Sequence, residues 1–370
     1  MRILYLAPLP PPLHGHSLAA KVLLDELSLT HDVDVVDLSH GSTQDGRFTF
    51  GRSLEVLKAI GAVWRRQRKA DAIYFTISES LAGNVKDLLV YLACSGGLSR
   101  MLVHLHGGSL KKVLFDRSRI LTTLNHAPLA RVGGIVISGE AHSHIFSAVV
   151  EPQRVHIVPN FAQDYLFVTR DTIHRKFAAM QPLRILYLSG MTAEKGCFDL
   201  VEAYLGTTPD VRRTIQLDFA GKFYSEGERA AFLARVDGVA GITYHGLVDE
   251  PEKSRLFAKA HVFCLPSRMF EGQPISILEA YAAGCVVLAT GQDGIRDVFT
   301  DGVNGFEFRP GVPAELRSVL EMLASVSPRL EGISLANRET AGREFTTQLF
   351  TRRLAAILES TATAAKAASA

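Results

Sequence analysis

Short apolar runs punctuated by Gly, Pro or Asp recur along the chain, with longer amphipathic stretches between them. That alternation predicts strands and helices wound into parallel sheets, because a strand buried on both faces reads as a continuous apolar run. Two series are visible. The first places strands at residues 3–6, 33–36, 72–76, 101–105, 134–137 and 155–158; the second at 184–188, 215–220, 242–245, 261–265 and 286–289. Each series predicts one doubly wound α/β domain, in which ligands bind at the carboxyl ends of the strands. Residues 161–182 are mixed in charge and lack a strand pattern. The expected organisation is a first domain over 1–165, a linker over 166–182, a second domain over 183–344 and a closing segment over 345–370. Amphipathic spacing over 345–358 predicts a closing helix, and the Ala-, Ser- and Thr-rich stretch after it predicts a frayed tail. Two such domains facing across a cleft would each supply one wall of a site.

At 370 residues the chain exceeds the size at which one hydrophobic core keeps growing, which agrees with two domains. A formal net charge of +2 gives no electrostatic case for nucleic acid as a partner. Cys94, Cys197, Cys264 and Cys285 lie far apart with no CxxC pair, so neither a zinc site nor a disulfide framework is expected, and a reducing, cytoplasmic setting fits. The opening apolar stretch is too short for a signal peptide and reads as a buried strand. No run reaches the roughly 18 to 20 apolar residues of a spanning helix, so membrane contact, if made, would be peripheral, at the inner surface. Trp64-Arg65-Arg66-Gln67-Arg68-Lys69 is a dense basic run at a helix end. Such runs are usually solvated, with an anionic membrane surface or a charged acceptor as the second reading.

The most informative segment is Glu271-Gly272-Gln273-Pro274-Ile275-Ser276-Ile277-Leu278-Glu279. In one continuous helix its two carboxylates would stand about 12 Å apart and off a common face. Pro274 argues for a different arrangement, with Glu271 and Gly272 in a loop, a helix opening near Pro274, and Glu279 in its second turn. The free amides of Ile275 and Ser276 at the helix start then form an anion pocket flanked by two carboxylates. A nucleotide sugar suits it, with the diphosphate on the amides and the carboxylates on hexose and ribose hydroxyls.

Three further positions carry weight beside this run. Lys195 sits in a strand-to-helix turn, Glu194-Lys195-Gly196, where an ammonium and a helix N-terminus can act on one phosphate. His106 ends an apolar strand beside Gly107 and Gly108, which would let a ligand come close. The turn Pro10-Pro11-Pro12-Leu13-His14-Gly15 follows the first strand, and Gly15 permits close backbone approach at the start of a helix over residues 18–27. Each of the three has a bland reading: a solvated lysine, a structural histidine, a stiff loop.

With these residues assembled, the chain resembles the retaining nucleotide-sugar glycosyltransferases of the GT-B fold, specifically family four, over nearly its whole length. The resemblance rests on the proline and glycine loop at 10–15, His106-Gly107, Ile137-Ser138, Val158-Pro159-Asn160, Glu194-Lys195-Gly196, Phe219-Ala220-Gly221, His245-Gly246, the Glu271 to Glu279 run with its trailing Gly284, and Asp301-Gly302-Val303-Asn304-Gly305-Phe306. It implies that Glu271 contacts the transferred sugar and that Gly272, Gln273, Pro274, Ile275 and Ser276 hold sugar and phosphate. It further implies Glu279 on ribose, Lys195 on phosphate, His106 on the sugar, Gly15 on the diphosphate, and backbone from Gly246 to Val248 against the base. Two departures stand out. Many members carry an arginine several residues before the phosphate lysine, where this chain has Ser189, Gly190 and Met191; Arg268 is a candidate substitute. Pro274 replaces a common glycine and removes one amide.

The resemblance therefore implies hexosyl transfer, with retention, from a UDP- or GDP-sugar to a hydroxyl acceptor in polysaccharide or glycoconjugate synthesis, with no cofactor and no metal. The acceptor could be a glycan, a lipid-linked sugar or a small molecule, and residues 48–51 and 107–115 offer loop chemistry for it. A nucleotide-sugar epimerase or hydrolase on the same fold, or a non-catalytic binding subunit, are the rivals. A dinucleotide dehydrogenase is disfavoured because no GxGxxG follows a strand.

Overall fold

In a computed structural model, which describes residues 1–12, 14–39, 50–323 and 327–369, the chain divides into two compact units. One comprises residues 1–160 and 348–370, the other 161–347.

The first unit is a six-stranded parallel sheet in the order β2-β1-β3-β4-β5-β6. Its strands are β1 (Arg2–Ala7), β2 (Asp32–Asp37), β3 (Ala72–Thr76), β4 (Met101–His104), β5 (Gly134–Ile137) and β6 (Val155–Ile157). Helices α1 (Gly15–Thr30), α2 (Phe50–Arg66), α3 (Leu81–Ala93) and α4 (Arg119–Leu129) make the first four crossovers. β1, β3, β4 and β5 have almost no exposed side chain, which is why they read as unbroken apolar runs. Helix α1 starts where His14 accepts a bond from the Ser17 amide at 3.2 Å while Ser17 Oγ accepts from the His14 amide at 3.0 Å. That reciprocal cap begins the helix three residues earlier than its apolar period suggests. Of the expected acceptor segment 48–51, residues 48 and 49 lie outside the described residues, as does Leu13 of the proline loop.

In the second unit the order is β12-β11-β10-β7-β8-β9, again all parallel. Its strands are β7 (Leu183–Leu188), β8 (Ile215–Ala220), β9 (Ile242–Tyr244), β10 (Val262–Leu265), β11 (Val286–Thr290) and β12 (Gly305–Phe308). Around them run α5 (Arg170–Ala178), α6 (Cys197–Gly206), α7 (Pro209–Thr214), α8 (Glu226–Val236), α9 (Glu250–Lys259), α10 (Ile275–Ala282), α11 (Asp293–Arg296), α12 (Pro313–Leu323) and α13 (Ser327–Glu344). A final helix, α14 (Thr347–Ser369), counts with the first unit from residue 348 onward.

The α/β fold with two doubly wound, Rossmann-like sheets is the architecture that the apolar pattern predicts, but three boundaries differ. Residues 161–165 fall with the second unit, where the Ala162 amide bonds to the Phe345 carbonyl at 2.8 Å. The segment 166–182 is not a bare linker: it holds α5, whose Ile173 and Phe177 enter the second core and whose low apolar content hides it from a periodicity search. Nor does the chain fray after residue 358. Helix α14 continues with Thr361, Ala362 and Ala365 buried and Lys366 paired with Asp71 at 2.8 Å. Small residues there are packing, not loosening, because Gly133 leaves room only for a thin partner: a Cβ on it would lie 2.4 Å from Thr361 Cγ2.

Candidate active site

Strand order decides where chemistry can gather in the second unit. From β7 the chain moves one way through β8 and β9, and from β10 the other way through β11 and β12, so the order reverses between neighbours β7 and β10. The loops leaving those two strands splay apart at their carboxyl ends, the usual ligand position in such sheets. The β7 loop carries Lys195 and the β10 loop carries residues 266–274. Gly196 lets them close on one another. It has φ +78°, and a Cβ there would stand 2.0 Å from the Pro266 carbonyl oxygen. A second tie runs from the Arg268 amide to the Glu194 carbonyl at 2.8 Å.

Pressed together in this way, the loops put Lys195 onto Glu271. Nζ donates to both carboxylate oxygens, at 2.6 and 2.7 Å, and Ser267 Oγ donates to Oε1 at 2.5 Å. Glu271 is buried while Lys195 keeps about a quarter of its side chain exposed. A partly wet cation held by a nearly dry carboxylate can turn to an incoming anion without leaving the site. Pro274 lies at the cap position of α10, with φ −65° and ψ 116°, and no side chain caps the helix. The amides of Ile275 and Ser276 therefore open the helix uncapped, close in sequence to Glu271, where partial positive charge concentrates. Of the other residues in this loop, Gln273 is buried, and Gly272 and Ser276 are half-buried.

Glu279, in the second turn of α10 as expected, is almost fully buried. Lys253 of α9 donates to it at 2.6 Å and to Gln163 at 3.1 Å. Burial pushes the Glu279 carboxyl above its usual range, and the Lys253 ammonium partly pulls it back. Sequence reasoning missed Lys253, Ser267 and Gln163; no local motif marks them, because each meets its carboxylate through the fold. The two glutamates thus have separate lysines. Arg268 is not free to replace the absent arginine, since it makes a two-pronged pair with the buried Asp199, Nε to Oδ2 at 2.8 Å. Gly246 has φ +72° with open space over its Cα, its carbonyl accepts from the Gly221 amide at 2.8 Å, and the neighbouring Leu247 is three-quarters exposed. Val248 packs on the second unit's core.

His106 belongs to the first unit, where the loops after β1 and β4 meet. Its ring stacks on His104 at 3.9 Å and on His16 at 4.4 Å, and His104 Nδ1 is 2.6 Å from the Tyr74 hydroxyl. Burial, and then the neighbouring imidazoles, hold His106 well below the usual histidine range, so it is a neutral ring at pH 7. The Nε2 atoms of His16, His104 and His106 are enclosed without a hydrogen-bond partner among the described residues. The space beside Gly107 is taken by protein: a Cβ there would meet Glu79 Oε2 at 1.6 Å, and Glu79 Oε1 accepts from the Ser109 and Leu110 amides at 2.6 and 2.9 Å. Gly15 is the exposed first residue of α1. Among the described residues, no group of three or more His, Cys, Asp or Glu is arranged to hold a metal ion.

Two parallel Rossmann-like sheets, with an ammonium, a carboxylate and an uncapped helix start converging at the switch point of the second, place the chain in the GT-B structural class. Residues 182–325, which contain this whole constellation except Gln163, match the family model for glycosyl transferases group 1. Among curated proteins, the amylovoran biosynthesis glycosyltransferase AmsK of Erwinia amylovora is 27% identical over 195 residues, 51% of this chain and 46% of that protein. A glycogen synthase of Xanthomonas oryzae is 31% identical over 136 residues, 37% of this chain and 23% of the relative. The matches thus span less than half of these relatives' lengths. Among solved structures, the Anabaena protein HepE in complex with UDP and glucose superposes with a TM-score of 0.73 at 16% identity, covering 97% of this chain and 100% of that one. Sucrose-phosphate synthase from Thermosynechococcus elongatus gives 0.76 at 13% identity over 98% and 99%.

Proposed function

We propose that the chain is a retaining glycosyltransferase that moves a hexosyl unit from a nucleoside-diphosphate sugar to a hydroxyl acceptor in polysaccharide or glycoconjugate synthesis. The observation that carries this reading is the contact of Lys195 with Glu271 beside the open start of α10, inside the segment that matches glycosyl transferases group 1. HepE and its UDP and glucose complex, together with AmsK, support a nucleotide-sugar donor and a glycan product.

In the proposed reaction the bond from the anomeric carbon to the diphosphate oxygen breaks, and one forms from that carbon to the acceptor oxygen. The acceptor's proton passes to the departing phosphate on the same face, which preserves configuration. Negative charge grows on the diphosphate as it leaves. Lys195 turns from Glu271 to that charge, and the amides of Ile275 and Ser276 with the helix dipole stabilise it. Glu271, released from Lys195 but still held by Ser267, accepts hydrogen bonds from hexose hydroxyls. Glu279 and its partner Lys253 serve the ribose. His106, being neutral, offers a hydrogen bond to a sugar hydroxyl without adding charge.

The test is incubation of each candidate donor, UDP- or GDP-linked, with a panel of glycan, lipid-linked and small hydroxyl acceptors, followed by NMR of the product's anomeric configuration. Transfer with retention supports the reading. Inverted product, or epimerised or hydrolysed donor formed quickly without acceptor, overturns it. Tight nucleotide binding with no transfer to any acceptor would make the protein a binding subunit.

A further inference from the structure

Two lysines of the second unit each meet one buried glutamate, and they meet it differently. Lys195 has Glu271 as the one partner of its ammonium among the described residues, and it sits astride both carboxylate oxygens, at 2.6 and 2.7 Å. Lys253 bonds to Oε1 of Glu279 at 2.6 Å and not to Oε2. The difference is a second acceptor. Gln163 Oε1 takes another proton of the Lys253 ammonium at 3.1 Å, and the same oxygen accepts from the Tyr165 hydroxyl at 3.0 Å. An ammonium has three donors, and one of them drawn sideways to an anchored amide holds the group off the far carboxylate oxygen. Gln163 and Tyr165 lie more than a hundred residues before Glu279 and reach it because a short turn over Asp164–Leu166 packs along α9. All four side chains belong to the second unit.

Glu279 is thereby left with one oxygen committed and the other unbonded. Its side chain is 2% exposed, yet none of the described residues donates to Oε2. A dry carboxylate oxygen without a donor is costly, so it marks a place where a ligand hydroxyl is received. The two oxygens of a carboxylate can face a cis-diol side by side, and an ammonium astride both would occupy that face. Held on Oε1 alone, Lys253 leaves the face open. Tyr165 borders the same carboxylate: burial, and then the charges of Glu279 and Glu250, push its hydroxyl above the usual tyrosine range, so that it stays a donor to Gln163.

We propose that Gln163 and Tyr165 are positioning residues that make the donor site selective for ribonucleotides over 2′-deoxyribonucleotides, by holding Lys253 on Oε1 of Glu279 so that the carboxylate is open to both ribose hydroxyls. The proposal rests on the assignment of Glu279 to the ribose. It narrows the donor to a ribonucleoside-diphosphate sugar, because a deoxyribose would leave one buried acceptor unpaired, and a site built for a hydroxyl rejects the analogue that lacks it. Without Gln163, Lys253 is expected to settle across both oxygens, as Lys195 does on Glu271, and close the face.

Isothermal titration compares UDP with 2′-deoxy-UDP, and GDP with 2′-deoxy-GDP, on the unmodified chain, on Gln163→Leu and on Tyr165→Phe. For the nucleotide that binds, the deoxy form should be at least about tenfold weaker on the unmodified chain, from the loss of a hydrogen bond to a charged group. In Gln163→Leu that ratio should fall to about threefold or less, through weaker binding of the ribose form, with Tyr165→Phe intermediate. A purely structural role would weaken both forms equally and keep the ratio. If Gln163→Leu does not fold, Tyr165→Phe, which removes a single oxygen atom, decides by the same ratio. Binding of neither UDP nor GDP removes the donor reading and this inference with it. A ribonucleotide that binds no better than its deoxy form, or a ratio unchanged in the folded variants, overturns the inference alone and leaves the donor reading standing.

Discussion

Replacing Lys253 by methionine isolates the cost of the carboxylate buried in α10. Glu279 is almost fully enclosed, and Lys253, with 15% of its side chain exposed, is the cation that bonds it. Removing one member of a buried pair typically costs about 3–5 kcal/mol, because the remaining charge is left dry and unpaired. Residual exposure of Lys253 places this case at the lower end, about 3 kcal/mol. For a unit of this size each kcal/mol moves the melting temperature by about 2–4 °C, so a fall of about 6–12 °C is expected by calorimetry. The loss should depend on pH in a definite sense. Without the ammonium, only burial acts on Glu279, and its folded pKa rises further above the unfolded value of 4.5. The folded state then binds more protons than the unfolded one above about pH 4.5, and stability falls as pH rises through that window. Lys253→Met should therefore be nearly neutral at pH 4 and worst at pH 7. Adding Glu279→Leu should restore most of the loss, since an apolar pair of similar volume suits a dry site. A melting temperature within 2 °C of the unmodified protein at pH 7, or a double variant no more stable than the single one, would refute the reasoning.

Gly196→Ala should cost about 2–4 kcal/mol in denaturant unfolding, from left-handed backbone and a contact with the Pro266 carbonyl that cannot give, and should weaken nucleotide binding through Lys195; a cost below 1 kcal/mol would mean that the two loops are not pressed together. Burial holds His16, His104, His106 and His261 below 6.5, His104 at about 3, so the unfolded chain gains protons first as pH falls. Each should remove up to about 1.4 kcal/mol per pH unit below 6.5, offset by Asp87, which burial raises to about 7, and by Glu279. Unfolding free energy should therefore drop between pH 6.5 and 5, and a flat or rising profile would contradict the buried imidazole stack.

Strands with two buried faces, and a helix opened by Pro274, were legible because one local pattern specifies each. What escaped detection depends on packing between distant segments. Strand β12 is four residues with Glu307 at its centre and enters the sheet only because Gly305 tolerates φ +156° beside the Val287 carbonyl. Helix α5 is mostly polar, yet Lys176 is buried and gives its ammonium to the Ala283 and Gly284 carbonyls, at 2.8 and 2.7 Å, where α10 ends. Lysine in a sequence reads as solvent; here it fixes the far end of the helix that carries Glu279. The Glu271 run and Lys195 were legible separately, from Pro274 and from the strand-to-helix turn. Their direct contact was not, because it follows from β7 and β10 being neighbours. His104 and His106 were legible as same-side residues, whereas His16 joins them only through the order of β1, β3 and β4.

The central claim is that Lys195 and the start of α10 grip a nucleoside diphosphate. Isothermal titration of UDP and of GDP into the unmodified chain and into Lys195→Ala tests it most directly. An ammonium beside a phosphate near a protein surface is worth up to about 4 kcal/mol, reduced here by the need to leave Glu271. One of the two nucleotides should bind the unmodified chain, and at least tenfold more weakly once Lys195 is removed. Binding of neither nucleotide, or equal affinity in both proteins, would contradict the account.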